Sequence, residues 1–231
     1  MAKFNEVSLS RKKELEQPDE VTENLRRLFT YILKYKVRIG IGVGTFFVLI
    51  IGIVLIRYFS QLSEKHASYL LDQSMEKYSQ MQTEKKPAEI CDLLKDDLQT
   101  IIKDYPGTVA GNFATLQLAS VYYSAGRYDD AVTYYNKAME ALAGQPLFLG
   151  LIQMGLGLSL EAKGENDKAV AYFEKIIAAP NSLVKDQALF NAGRIYGKLG
   201  KNDKRREAYE KIVSDYRDSL YTEIAKEYVS G

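Results

Sequence analysis

The residues that carry most enzyme chemistry are nearly missing from this chain: among 231 residues there is one histidine, His66, and one cysteine, Cys91. A cysteine nucleophile needs a base within reach, and a zinc site needs three or four nitrogen or sulfur ligands. One residue of each type supplies neither set unless carboxylates stand in. His66 falls on a charged helical stretch, where solvent exposure is expected. Cys91 keeps helical period with Leu94 and Leu98, which predicts a half-buried packing thiol. A lone cysteine excludes an internal disulfide and leaves mixed intermolecular pairing as its only redox chemistry. The paired carboxylates Asp96-Asp97 and Asp129-Asp130 fall on polar helix faces or turns and read as solvated surface. Gly155 and Gly157 would suit a phosphate loop, but no strand precedes them and no lysine follows, so close helix packing explains them better. The chain is therefore not expected to be an enzyme, and no cofactor or metal is expected.

The spacing that does recur is structural. Leu118-Ala119, Tyr122, Gly126, Ala131 and Tyr135 are matched by Leu156-Gly157, Leu160, Gly164, Ala169 and Phe173, and again by Ala192-Gly193, Tyr196, Gly200, Arg205 and Tyr209. Apolar residues three and four apart predict two amphipathic helices per block, and the glycine supplies the positive φ that ends the first. The small pair lets the two helices approach closely. The block-to-block step is 38 and then 36 residues, so growth has fallen in the loops Ala143-Gly144-Gln145-Pro146 and Ala179-Pro180-Asn181-Ser182, as it does in stacked hairpins. A weaker leading hairpin runs from Ser63 to Met81 and from Ala88 to Tyr105, turning at Lys85-Lys86-Pro87. A terminal helix over Asp218 to Val229 is expected to place Leu220, Tyr221, Ile224, Ala225 and Tyr228 on one face. The fold class is all-α, and roughly 150 repeat residues suffice for one cooperative core.

Between Ile39 and Ile56 lie eighteen residues with no charge or strongly polar group, about 27 Å of helix. With Val37, Tyr58 and Phe59 at its borders, this stretch is read as a transmembrane helix over 37–59. Arg26, Arg27, Lys34, Lys36 and Arg38 precede it with no acid between Asn24 and Arg38, whereas Arg57 and Lys65 follow it together with Glu64 and Asp72. That asymmetry predicts a cytoplasmic N-terminus and repeats on the far side. Ile56-Arg57-Tyr58-Phe59 offers no small-residue processing site, so the segment reads as a signal anchor. Residues 1–38 hold nine of the 31 basic and six of the 30 acidic residues, leaving 22 and 24 for an almost neutral remainder. Nothing there has the dense basic face that nucleic acid requires.

Residues 1–36 are read as a cytoplasmic tail, with Met1 to Gln17 flexible and charged. Asp19 could cap a lead-in helix whose Val21, Leu25, Leu28, Phe29, Ile32 and Leu33 share a face opposite Arg26, Arg27 and Lys34. Two readings stay open: a cationic amphipathic helix at the headgroups or on a partner, and the plain beginning of the membrane helix. Within the span, Gly40 and Gly44 form a G-x-x-x-G step that Gly52 extends, a candidate face for packing against another helix.

The three blocks resemble the tetratricopeptide repeat, with Thr115, Gln153 and Leu189 where the family often has tryptophan and Arg205 in place of the crossing alanine. The resemblance implies a solenoid over 60–231, with hairpins at about 63–105, 110–143, 148–180 and 184–216 and a terminal helix at 218–229. It also implies that the first helix of each hairpin lines a concave surface. Those positions are Phe113, Leu116, Ser120 and Tyr123, then Leu151, Met154, Leu158 and Glu161, then Gln187, Phe190, Arg194 and Lys198. They describe an apolar groove with a basic end, suited to extended or partly folded polypeptide. The alternative is that the leading or terminal helix fills it.

The whole architecture, entered through Asp104-Tyr105-Pro106-Gly107-Thr108, resembles the ancillary Sec translocon subunit family of bacterial inner membranes, the YfgM type. That resemblance implies a periplasm-facing, single-pass inner-membrane protein. Its partners would be the Sec translocon, periplasmic chaperones and secretory clients, with no nucleic acid and no small-molecule substrate. The expected function is a membrane-anchored scaffold or chaperone-like adaptor in protein export. The alternative is a fixed-partner scaffold for envelope or cell-division assembly.

Overall fold

The computed structural model describes residues 20–180 and 182–230. The expected tail Met1 to Gln17 and the cap at Asp19 lie outside the described residues. Among those described there are helices and turns but no strand. The helices are α1 (Glu20–Met81), α2 (Pro87–Asp104), α3 (Val109–Ser124), α4 (Tyr128–Ala141), α5 (Pro146–Ala162), α6 (Asn166–Ala178), α7 (Lys185–Lys198), α8 (Asn202–Asp215) and α9 (Thr222–Ser230). The chain divides into two compact units, Met1–Phe59 and Ser60–Gly231.

In the first unit, α1 carries an apolar window of mean hydropathy 2.8, none of it buried, long enough to cross a membrane. Its helical geometry is interrupted at Tyr35, where φ is −110° and ψ 16°. A Cβ added to Gly40, Gly44 or Gly52 would meet nothing within 4 Å, so those glycines leave an open surface.

In the second unit the helices stack as antiparallel neighbours: α3 with α4, α5 with α6 and α7 with α8 form hairpins, and α3 also touches α5. Each hairpin turn is built the same way. Gly126, Gly164 and Gly200 have φ of +76°, +80° and +70°, a left-handed conformation that costs any residue with a Cβ. The next residue's N–H then reaches back across the turn: Arg127 to the Tyr122 carbonyl at 2.9 Å, Glu165 to Leu160 at 2.9 Å and Lys201 to Tyr196 at 2.8 Å. This six-to-one bond satisfies a carbonyl that a helix C-terminus would otherwise leave bare.

Helix starts combine local and distant partners. Pro87 and Pro146 occupy the first turn of α2 and α5, where the missing N–H has no partner to lose. Thr108 caps α3 by accepting from the Gly111 N–H at 3.0 Å. The Glu64 carboxylate reaches the same helix end from α1, accepting from the N–H groups of Val109 at 2.7 Å and Ala110 at 3.0 Å. An acid at a helix N-terminus also meets the positive end of the helix dipole.

The small residues make room for rings. A Cβ on Gly157 would stand 2.5 Å from the Phe173 ring, and one on Gly193 would stand 2.9 Å from Tyr209. Gly155 takes the Tyr135 ring of the preceding hairpin. Buried leucines and isoleucines such as Leu94, Leu98, Leu118, Ile152 and Ile195 complete the core, each contributing about 1.5 to 3 kcal/mol of transfer free energy. Arg205, in the place of the crossing alanine, lies over Gly197, its Cδ 3.1 Å from where a Cβ would be. A missing side chain on α7 thus accommodates the extra bulk on α8.

The terminal helix differs from the expectation. It begins at Thr222, so Leu220 lies in the preceding turn and is 92% exposed. The packed side is Tyr221, Thr222, Ala225 and Val229, while Ile224 faces solvent. His66 is exposed and stacks on Tyr105 with ring centroids 5.7 Å apart. Cys91 is fully buried rather than half-buried, and burial pushes its thiol pKa up.

Candidate protein-binding groove

The first helices of the three hairpins, α3, α5 and α7, carry the twelve positions read from the sequence, and side chains tie each helix to the next. Phe113 on α3 meets Phe148 on α5 edge to face at 4.8 Å. Near them Leu147 and Leu151 stand exposed, Leu151 by 50%. Leu116, Ser120 and Tyr123 are half-buried along α3. The Tyr135 hydroxyl faces Ser120, and burial raises its pKa to about 12. Tyr123 packs beside Tyr128 at 5.8 Å, and burial raises its pKa as well. Both phenols therefore stay neutral donors across the physiological range.

The junction of α5 and α7 is of a different kind. Met154 is only 5% exposed, and the Asn191 amide donates to its sulfur at 3.8 Å. The Glu161 side chain, 8% exposed, accepts from both arms of the Arg194 guanidinium, at 2.5 and 2.7 Å, and from Lys198 at 2.7 Å. Arg194 also donates to the Asn191 side-chain oxygen at 3.0 Å. Burial alone would raise the Glu161 carboxyl, but hydrogen bonds from Lys198 and Arg194 outweigh it and hold the pKa below the usual value. Two-pronged pairing of this sort is geometrically demanding and fixes the register of the two helices. Phe190 is stacked on Tyr221 from the terminal segment, 4.6 Å between centroids and 21° between planes.

The basic end read from the sequence is thus half neutralised, one carboxylate against two cations, and the terminal segment covers Phe190. Leu158 and Gln187 are half-buried and Lys198 is exposed. What remains open is an apolar ledge of Phe113, Phe148, Leu147 and Leu151. Leu147 and Phe148 were not among the positions read from the sequence. The signal for them was Pro146: a proline in the first turn starts α5 there and places the next two residues already on the helix. Among the described residues no group of three or more His, Cys, Asp or Glu side chains is placed to hold a metal ion.

A stack of helical hairpins with linked inner helices and a partly apolar inner ledge is the architecture of a protein-binding repeat solenoid. The chain belongs to the tetratricopeptide repeat-like domain family, whose model matches residues 31–226. A tetratricopeptide repeat protein of Parabacteroides merdae ATCC 43184 has a similar structure, at a TM-score of 0.55 and 15% identity, over 70% of this chain and 59% of that one. The chain thus spans little more than half of that relative. The nearly identical tetratricopeptide-like repeats of a Podosopora anserina protein assigned as a kinesin light chain are similar over 71% of this chain and 84% of that one. There the TM-score is 0.56 at 17% identity. A search of curated proteins finds no match. The fold is that of a protein–protein interaction scaffold.

Proposed function

We propose that this chain is a membrane-anchored adaptor of the kind that serves protein export, with its repeats on the non-cytoplasmic side of a bacterial inner membrane. The observation that carries the reading is the union, in one chain, of an unburied membrane-length helix with a repeat solenoid bearing exposed Leu147 and Leu151. The charge asymmetry around the span supplies the orientation. Partially folded polypeptide is the ligand class that a shallow apolar ledge suits, since it offers extended apolar side chains without demanding one sequence. The resemblance to the ancillary translocon subunits points to the Sec translocon, periplasmic chaperones and secretory clients as partners. Polypeptide binding is assigned to Phe113, Leu147, Phe148 and Leu151 on the ledge, with the half-buried Leu116, Ser120, Tyr123 and Leu158 contributing their exposed edges. Met154, Phe190 and Arg194 instead serve internal packing. Gly40, Gly44 and Gly52 form the packing face within the span.

A second reading is favoured by one observation, the locked α5–α7 junction. A groove half closed by Glu161, Arg194, Lys198 and Tyr221 is pre-shaped, which suits a single fixed partner in an envelope or division assembly. Affinity capture of the full chain from gently solubilised membranes separates the two. Translocon subunits with a spread of secretory clients is the expected result. One stoichiometric envelope partner without translocon would replace export by the scaffold.

A further inference from the structure

We propose that residues 22–34 form a second, in-plane membrane contact: an amphipathic helix lying in the anionic headgroup region of the leaflet where the span begins. The inference rests on the reading of the span as a membrane anchor. Three observations carry it. First, Leu25, Leu28, Phe29, Ile32 and Leu33 are exposed along the helix, and Arg27, Thr30 and Lys34 occupy the opposite side at 100° per residue. Second, the helical geometry breaks at Tyr35, between this segment and Ile39–Ile56, so the two need not share an axis.

Third, length and charge decide against a continuous span. The apolar-rich stretch from Leu25 to Phe59 would be about 52 Å of straight helix against about 30 Å of hydrocarbon. It would also draw Arg26, Arg27, Lys34, Lys36 and Arg38 toward the bilayer interior, where each is costly. Folding the segment into the interface leaves the apolar face in the acyl boundary and the guanidinium and ammonium groups among lipid phosphates. Tyr35 sits at the break with Lys34 and Arg38 over its ring, at 5.6 and 5.9 Å, an amphipathic residue where headgroup and hydrocarbon meet. The occupant of the exposed face is thus the bilayer to which the following residues already bind the segment, and the basic residues select its anionic lipids.

The chain has no tryptophan, so single tryptophans report position directly. Leu28→Trp, Thr30→Trp and Val48→Trp are placed separately in the full-length protein. Each is reconstituted in phosphatidylcholine vesicles with and without phosphatidylglycerol, and quenching is read with lipids brominated at shallow or deep acyl positions. The expected result is shallow quenching and blue-shifted emission for Leu28→Trp, aqueous emission for Thr30→Trp and deep quenching for Val48→Trp. Phosphatidylglycerol should strengthen the shallow quenching of Leu28→Trp. Equal aqueous emission from Leu28→Trp and Thr30→Trp, with Val48→Trp still deep, would overturn the proposal and leave the face to a protein partner. Deep quenching at Leu28 would make the segment part of the span, and indifference to phosphatidylglycerol would remove the anionic-lipid assignment. Loss of deep quenching at Val48→Trp would instead overturn the anchor reading itself.

Discussion

The α3–α5 and α5–α7 junctions occupy the same place in consecutive repeats, yet one is a greasy ledge and the other a locked ion-pair seam. At the first, Phe113 and Phe148 meet edge to face and Leu151 is left half in solvent. At the second, a buried carboxylate holds two cations and Met154 is enclosed. The hairpin turns do not differ, since the turn glycines and six-to-one bonds repeat. A solenoid can therefore vary its surface chemistry from repeat to repeat while its packing rule stays fixed, because each hairpin touches mainly its neighbours. The first junction leaves apolar area exposed, and the second commits its side chains to internal contacts.

The largest effect should come from breaking the shared packing rule. In the Ser60–Gly231 unit, Gly157→Leu forces a side chain into the Phe173 ring and should cost about 3 kcal/mol, read as a lowered midpoint of denaturant unfolding. Ala119→Leu, at a fully buried site, should cost about 1 to 3 kcal/mol. Unchanged midpoints in both would refute the assigned register.

Next comes the seam. Glu161→Gln should cost about 1 to 3 kcal/mol, held toward the lower figure because Arg194 and Lys198 are 38% and 50% exposed. Because the folded carboxyl lies below its ordinary value of 4.5, its stabilisation is complete above that pH and is lost as the pH falls through the folded value. Stability titrated below pH 4.5 should therefore decline less steeply in Glu161→Gln than in the parent. Parallel pH curves would mean that the seam does not hold in solution.

The ledge should respond in binding rather than in stability. Leu147→Ser with Leu151→Ser, both exposed, should leave the unfolding midpoint within about 0.5 kcal/mol. It should also weaken binding of an unfolded polypeptide about tenfold, from an affinity near the micromolar range or roughly −8 kcal/mol. Met154→Ser is the contrasting case: its buried thioether makes it a stability change first, measurable as a shifted midpoint before any effect on binding.

How much of this was readable beforehand depended on sequence distance. Gly126, Gly164 and Gly200 announced their turns because the requirement for positive φ is local and only glycine meets it without cost. Gly157 and Gly193 announced close contacts because the small pair repeats at a fixed offset. The seam was not read, although Glu161, Arg194 and Lys198 were each placed on the inner helices. Pairing them requires knowing how two hairpins slide past one another, and the only sequence signal was opposite charge across 33 residues, near one repeat period. Leu220 falls before α9, which starts at Thr222, because helical period by itself does not mark where a helix begins. The break at Tyr35 had no signal at all: neither glycine nor proline stands there.

The central claim is that the α3–α5 ledge, and not the outer helices, is where the proposed adaptor receives polypeptide. Site-specific photo-crosslinking in the full-length protein, reconstituted in vesicles and offered a reduced, alkylated chain that cannot fold, tests it most directly. A crosslinker at Leu151 should capture the chain, and one at the exposed Lys137 on α4 should not. Equal capture at both positions, or capture at Lys137 alone, would contradict the account.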